Sequence, residues 1–333
     1  MSLRKACQGY SRSQGGLNQS ELAALVKKLR PKVKGDVLTM PRKRLQKYLC
    51  GICVGMDFSE KTNVLKDITI VSNSIMYEGR PINPIDRVEL GSGKFGSVSK
   101  LVFNAESRRR SAQDKGPIYE LAIKESNGEP LDEFNVLRMY PQIYECDNII
   151  PMTIIDEDTL LMPLSTGDLV LLTGLLSEHQ ADQITTRVRS ILDCLETKGI
   201  YYLDNKLDNV LFTCYSLKDI QIYLGDLGSV MSDEGYYVST YPPPGLHDQG
   251  WISRETIDKT GISRIYDYQL SLVYAELVLT LSGQLPDANH NDMASKARLH
   301  RIIQQLEALP GKTRISDKYI AILRNATTRG FSA

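Results

Sequence analysis

Long apolar runs are missing from this sequence, and no stretch approaches the roughly 18 uninterrupted apolar residues of a membrane-spanning helix. The first 30 residues also lack the short apolar block of a secretory signal. No membrane partner and no export are therefore expected, and an intracellular location is the expectation. Cysteine is sparse: six residues (Cys7, Cys50, Cys53, Cys146, Cys194 and Cys214) are scattered over 333, unlike the dense framework of a small secreted domain. All six are expected as reduced thiols. The pair Cys50-Gly-Ile-Cys53 has neither a second pair nor a nearby histidine to complete a tetrahedral zinc site, and no strand pattern precedes it as a redox motif requires. Net charge is absent as well, with 40 Lys and Arg balancing 40 Asp and Glu. What is present is apolar content of 42%, enough for a large core without covalent staples.

The zero charge hides an asymmetry. Residues 1–50 hold twelve Lys or Arg against only Glu21 and Asp36, a local +10 offset by the remainder. Asn18 and Glu21 form a capping-box-like start, and Leu22, Leu25, Val26 and Leu29 repeat at helical spacing up to Pro31. A second helix is expected from Thr39, with Pro41 in its first turn and Leu45 and Leu49 on one face. Two short helices with a basic connection resemble SAP-type DNA-binding modules. The resemblance implies a nucleic-acid or acidic partner at residues 20–50; a solvated helical extension is the alternative. From about residue 85 the texture changes to alternating apolar and polar residues with glycine punctuation, and later to long helical periods. The polar stretch around Arg108-Arg109-Arg110-Ser111 reads as a long hairpin connection.

Gly91, Gly93 and Gly96 in Glu89-Leu90-Gly91-Ser92-Gly93-Lys94-Phe95-Gly96-Ser97-Val98 stand where a hairpin must approach phosphates closely, because side chains would block its backbone amides. A dinucleotide-binding fold would need a helix next, whereas Val98 and Leu101 to Phe103 read as a returning strand. Leu121-Ala122-Ile123-Lys124 then ends an apolar strand in a lysine and resembles the third strand of protein kinases. That resemblance implies that Lys124 pairs with nucleotide phosphates and needs a carboxylate to hold it. Glu133 matches the helix motif nine residues on, a short interval that leaves Glu129 as the alternative. It further implies that residues 160–169 are the last strand and hinge of a small lobe, with Met162 as gatekeeper, Leu164 beside adenine, and Asp168 at ribose or at a helix N-cap.

Residues 182–199 read as a helix with Ile184, Val188, Ile191, Leu192 and Leu195 on one face. Tyr202-Leu203-Asp204-Asn205-Lys206-Leu207-Asp208-Asn209 follows, with Asp, Lys and Asn at offsets zero, two and five before an apolar strand. It resembles the kinase catalytic loop, and Gly225-Asp226-Leu227-Gly228 resembles the metal-binding tetrapeptide with Leu in place of Phe. By this resemblance Asp204 is the catalytic base, Lys206 neutralises the transferred phosphoryl group, and Asn209 and Asp226 hold magnesium. Thr240 to Gly245 takes the place of the activation segment's end, Asp267 opens a helix running through Glu276, and Arg314 matches the arginine of the closing helices.

The chain is thus similar to eukaryotic-like serine/threonine protein kinases, in a divergent form similar to those of large DNA viruses such as iridoviruses and ascoviruses. The implied fold is α+β and two-lobed, with a small antiparallel sheet lobe carrying one helix (about 85–165), a larger helical lobe (about 166–325), and a basic helical extension over 1–80. ATP and Mg2+ are the implied cofactors. Protein substrates are implied, viral structural or DNA-associated proteins if the viral likeness holds, and with them a location in host cytoplasm or virion. A monomer is expected. Departures from the pattern are Tyr202 for histidine, Leu203 for the arginine that reads a phosphorylated activation loop, and Gly245 for the glutamate that would pair with Arg314. Activity independent of phosphate at Ser232, Ser239 or Thr240 is the expectation. The alternatives are a nucleotide-binding pseudokinase scaffold, a small-molecule phosphotransferase, and a nucleic-acid-binding protein acting through the basic segment.

Overall fold

The computed structural model describes residues 65–328 apart from 72–73, 78, 82–83, 94–95, 105–117, 175, 215–219, 231–234, 280 and 282–283. The basic segment at residues 20–50 with its two expected helices, the Cys50–Cys53 pair, Phe95, the Arg108–Ser111 stretch and Ser232 lie outside the described residues. The chain divides into two units: one holds the described residues up to Ser165 together with Gly225–Gly228, the other holds Thr166–Leu224 and the described residues from Ser229 on. Among the described residues no helix is long and apolar enough to cross a membrane.

The first unit is built from strands. A three-stranded antiparallel sheet comes first: β1 (Ile68–Val71), β2 (Ser74–Tyr77) and β3 (Arg80–Pro81). This corrects the expectation of a helical extension as far as residue 80. Ile68-Thr69-Ile70-Val71 is a run of β-branched side chains, which lose rotamer freedom in a helix and pack well on a pleated surface.

A five-stranded antiparallel sheet follows, made of β4 (Pro84–Gly93), β5 (Gly96–Asn104), β6 (Ile118–Glu125), β7 (Thr153–Asp156) and β8 (Thr159–Pro163) in the order β4-β5-β6-β8-β7. Alternate residues of β5, β6 and β8 bury Leu101, Phe103, Leu121, Ile123 and Leu161 in one cluster with Leu65 and Ile68. Tyr77 meets Phe103 edge to face with centroids 6.1 Å apart, so the small sheet packs on one face of the large one. Helix α1 (Asp132–Met139) buries Glu133, Val136 and Leu137. Cys146, just beyond it, is disulfide-bonded, which corrects the reading of that thiol as reduced.

The second unit is mostly helical. Its helices are α2 (Glu178–Thr197), α3 (Arg254–Thr260), α4 (Ile262–Val278), α5 (Asp292–Glu307) and α6 (Arg314–Thr328). Helix α2 starts earlier than its apolar period suggests, because Ser177 and Gln180 close a reciprocal capping box at its N-terminus. Cys194 near its other end is likewise disulfide-bonded, not a free thiol. Sequence spacing does not reveal which thiols fold to within the short Cα separation that a disulfide demands.

Helix α4 is buried almost all round, as the central helix of a large core must be, and it packs on α2, α3 and α6. Its start corrects the sequence reading: it opens after Gly261, and Asp267 sits inside it, accepting from Arg189 Nη1 at 2.5 Å. Tyr274 on α4 stacks on Tyr319 of α6 at 3.8 Å and shares a hydrogen bond with Ser316, while the Glu178 carboxylate of α2 accepts from the Thr313 amide at 2.9 Å and the Ser316 hydroxyl at 2.9 Å. A small sheet, ordered β11-β10-β9, comprises β9 (Gly167–Asp168), β10 (Val210–Cys214) and β11 (Ile220–Leu224). The pair β12 (Tyr236–Val238) and β13 (Trp251–Ser253) completes the unit.

Candidate functional site

In the strand unit, the glycine-rich segment is the β4–β5 hairpin, with Gly93 opposite Gly96, Ser92 opposite Ser97 and Gly91 opposite Val98. The chain leaves the glycines as a strand. Two of these glycines serve different needs. Gly96 has φ 148°, and a Cβ on it would lie 2.1 Å from the Glu125 carbonyl oxygen, so β5 can approach β6 only without a side chain there. A Cβ on Gly91 would meet nothing within 4 Å. Packing among the described residues therefore does not call for glycine at 91.

Lys124, on β6, is paired with Val98 on one side and Leu160 on the other. Its Nζ donates to the Glu133 carboxylate and, at 3.0 Å, to Asp226 Oδ1. Of the two carboxylates considered for this lysine, Glu133 is the one placed against it, at 2% exposure in the first turn of α1, while Glu129 lies in the exposed loop before that helix. Burial is the largest single influence on Lys124 and opposes its charge, yet Glu133 and Asp226 together outweigh it and hold the ammonium above its ordinary pKa. Burial likewise pushes Glu133 up, against the pull of the lysine. Asp226 has φ 48°, the left-handed region that a non-glycine residue enters only when its surroundings compel it. A Cβ on Gly228 would stand 2.8 Å from the Asp132 Cβ, so the tetrapeptide lies beside α1 only because that residue is glycine. Met162, opposite Ala122, and Leu164 are both buried.

In the helical unit, the loop after α2 turns through a short 3-10 segment, Leu207–Asn209, into β10. That turn brings Asn209 back onto Asp204. Asn209 Nδ2 donates to the Asp204 carbonyl at 2.9 Å and to its Oδ2 at 3.0 Å, and Lys206 Nζ stands 3.1 Å from the same Oδ2. The Thr240 amide donates to Asp204 Oδ1 at 2.7 Å, and Lys206 Nζ donates to the Thr240 hydroxyl at 3.4 Å. Asp204 is 4% exposed, so a cation and two N–H donors stand in for lost water around a buried carboxylate.

Asp168 is opposite Leu211 across β9 and β10, and its Oδ1 accepts from the Val170 amide at 3.0 Å, the geometry of an N-cap. Burial, then the nearby Asp208, raises its pKa to about 6. Tyr202 and Leu203, the two departures before Asp204, are both fully buried as core side chains. Arg314 is exposed at the start of α6, and the Gly245 amide donates to Asp292 Oδ1 at 2.9 Å.

One residue that the sequence analysis does not single out, Gln269, bonds directly to this loop, and Ser239 and Glu276 lie close by in ways the sequence does not show. Gln269 on α4, at 0% exposure, bonds to Leu203, Asn205 and Ser239. Its signal was an uncharged polar residue inside an otherwise apolar helical run, masked by the acidic Asp267 two positions earlier. Ser239 is 1% exposed, which leaves its hydroxyl out of reach of a modifying enzyme in this conformation. Glu276 has an Oε2 shielded from solvent and without a hydrogen-bond partner.

Burial, then Asp208, raises the Glu276 pKa to about 8. A carboxylate whose pKa is raised in the folded state binds its proton more tightly there, so its contribution to stability is present at low pH and is lost as pH rises through about 8. Glu276→Gln removes that loss. Urea unfolding at several pH values should show the variant gaining on the wild type by roughly 1 kcal/mol per pH unit between about 5 and 8. A constant difference would mean that Glu276 is ionised throughout.

Magnesium takes hard oxygen donors and completes its shell with water and phosphate oxygens. Among the described residues no group of three or more His, Cys, Asp or Glu side chains forms a cage that could hold a metal by itself. Asn209 commits its Nδ2 to Asp204 and presents its amide oxygen as the remaining donor, and Asp226 is a carboxylate held at one oxygen by Lys124. Each is a hard oxygen donor of the kind magnesium takes, and neither is a ligand for a soft metal.

No protein-family model matches the chain, and no curated protein matches it. Among solved structures it is similar to the kinase domain of PknI from Mycobacterium tuberculosis, in two double-mutant forms. One is 17% identical over 74% of this chain and 95% of that chain, with a TM-score of 0.38. The other is 16% identical over 78% of this chain and 100% of that chain, with a TM-score of 0.40.

Proposed function

We propose that this chain is a protein kinase that transfers the γ-phosphoryl group of ATP to serine or threonine hydroxyls of protein substrates. The observation that carries the reading is the double engagement of Lys124, bonded at once to Glu133 and to Asp226, 102 residues away in sequence. A half-buried cation held by a buried carboxylate and a second, half-exposed one is a costly arrangement for stability alone. It suits a lysine that must stay charged and fixed in place to receive phosphate oxygens.

In this reading Asp204 accepts the proton of the substrate hydroxyl as its oxygen bonds to the γ-phosphorus and the bond to the β-phosphate oxygen breaks, leaving ADP. Lys206, beside Asp204, carries the positive charge that offsets charge gathering on the transferred group. The Gly91–Gly96 hairpin, with Ser92, Gly93 and Val98, covers the phosphates, and Met162, Leu164 and Asp168 serve the adenosine. Asn209 and Asp226 would hold magnesium, which when bound supplies charge neutralisation on the phosphate oxygens.

The test is transfer of label from γ-labelled ATP and magnesium to casein, to histone and to the protein itself. Incorporation into serine or threonine that stops on chelation with EDTA supports the reading. Nucleotide binding without any transfer would replace it with the scaffold alternative.

A further inference from the structure

Helix α4 carries a fully buried primary amide in the middle of its apolar run. Such a group persists in a core only where its donors and its acceptor all find partners. Gln269 Nε2 donates to the Leu203 carbonyl at 2.6 Å and to the Ser239 hydroxyl at 2.8 Å, which uses both of its hydrogens; the Tyr241 carbonyl at 3.5 Å is a distant third. Its Oε1 accepts from Asn205 Nδ2 at 2.7 Å, and the other Asn205 hydrogen goes to the Tyr202 carbonyl at 3.0 Å.

The placement of these partners is informative. Leu203 and Asn205 flank Asp204, and Ser239 and Tyr241 flank Thr240, whose amide donates to Asp204 Oδ1 at 2.7 Å. One side chain therefore holds the residues on both sides of Asp204 and the residue just before Thr240, that is, both ends of a single hydrogen bond. Asp267 cannot share the task, because two residues along an α-helix turn a side chain by about 200°. It points away, to Arg189.

We propose that Gln269 is a positioning residue that holds the Asp204 carboxylate in register with the Thr240 amide and so fixes the orientation of the base. The inference rests on the kinase reading for its kinetic consequence, but its structural consequence can be measured without any activity. The side chain must be an amide: a carboxylate at 269 would set oxygen against the Leu203 carbonyl oxygen, so Gln269→Glu, nearly identical in shape, disrupts the grip specifically.

The experiment uses the full chain with two readouts, steady-state kinetics and hydrogen exchange at the Thr240 amide. With the base misaligned, kcat of Gln269→Glu should fall by about 10²-fold with KM for ATP changed less than about twofold. The Thr240 amide should exchange at least about tenfold faster than in the wild type, since its acceptor is no longer held. Ser239→Ala, which removes one acceptor and no charge, should move both readouts in the same direction by a smaller factor, and it decides the matter if Gln269→Glu does not fold. Unchanged kcat in an active enzyme, or a Thr240 amide protected as in the wild type, overturns the proposal. If the wild type transfers no phosphate, the kinase reading fails on its own account and the exchange readout alone decides whether Gln269 positions Asp204.

Discussion

Asp204→Ala should lower kcat for phosphoryl transfer by about 10³-fold while leaving KM for ATP within about twofold of the wild type. The direction follows from what the carboxylate touches. Its partners are the Thr240 amide, Asn209 and Lys206, so its removal takes away the proposed proton acceptor and the element that orders the surrounding loop. Positioned acid–base groups typically contribute about 10² to 10⁴ in rate, and the lost alignment places the expectation in the upper half of that range. A cost in stability is expected too. The Thr240 amide and Asn209 Nδ2 lose an acceptor at a buried position, which commonly costs about 1–3 kcal/mol, so thermal unfolding should accompany the kinetics to separate lost chemistry from a lost fold. A folded Asp204→Ala protein that keeps a tenth or more of wild-type turnover would show that another group takes the proton.

Lys124→Met should have an effect of similar size on activity and a larger one on the fold. Without the ammonium, the buried Glu133 carboxylate has no cation against it, and Asp226 is left as a neighbouring like charge. Breaking one partner out of a buried ion pair typically costs about 3–5 kcal/mol, and because Lys124 retains some exposure the lower end applies. The loss should depend on pH. Burial already pushes the Glu133 pKa up, and removing Lys124 takes away the principal influence holding it down. A raised carboxylate pKa stabilises the fold at low pH and loses that contribution as pH rises, so Lys124→Met should be closer to wild-type stability at pH 5 than at pH 8. Adding Glu133→Gln should restore most of the stability at pH 8 and none of the transfer, because the second change removes the orphaned charge but does not replace the lysine proposed to hold phosphate. If Lys124→Met unfolds at the same urea concentration as the wild type at both pH values, the pair is not the buried couple its geometry describes.

Much of the local arrangement around Asp204 was legible because it is written in short offsets. Asp204, Lys206 and Asn209 belong to one loop that a tight turn folds back on itself, and Lys124 ends one strand whose alternation is visible in Leu121-Ala122-Ile123. The hairpin of Gly91, Gly93 and Gly96 was legible for the same reason, since a strand and not a helix follows the glycines. Element starts were less so. Helix α2 begins at its capping box, before its first apolar repeat, and α4 begins after Gly261, five positions ahead of the acidic residue that seemed to open it. The strands at 68–81 interrupt the expected helical extension, and their sequence signal is the β-branched run Ile68-Thr69-Ile70-Val71, which speaks against a helix.

The residue types and spacings alone determined which side chains carry charge, and that the glycines sit in a hairpin. Those properties depend on interactions within a few residues. Partner choice was decided by the tertiary structure: Glu133 rather than Glu129 against Lys124, Asp226 arriving from 102 residues away, the disulfide-bonded state of Cys146 and Cys194, and Gln269 rather than Asp267 turned toward the loop that holds Asp204. Each depends on how distant segments close onto one another and on which face of a helix meets them, and such closure is governed by the packing of the whole core, which no local spacing encodes.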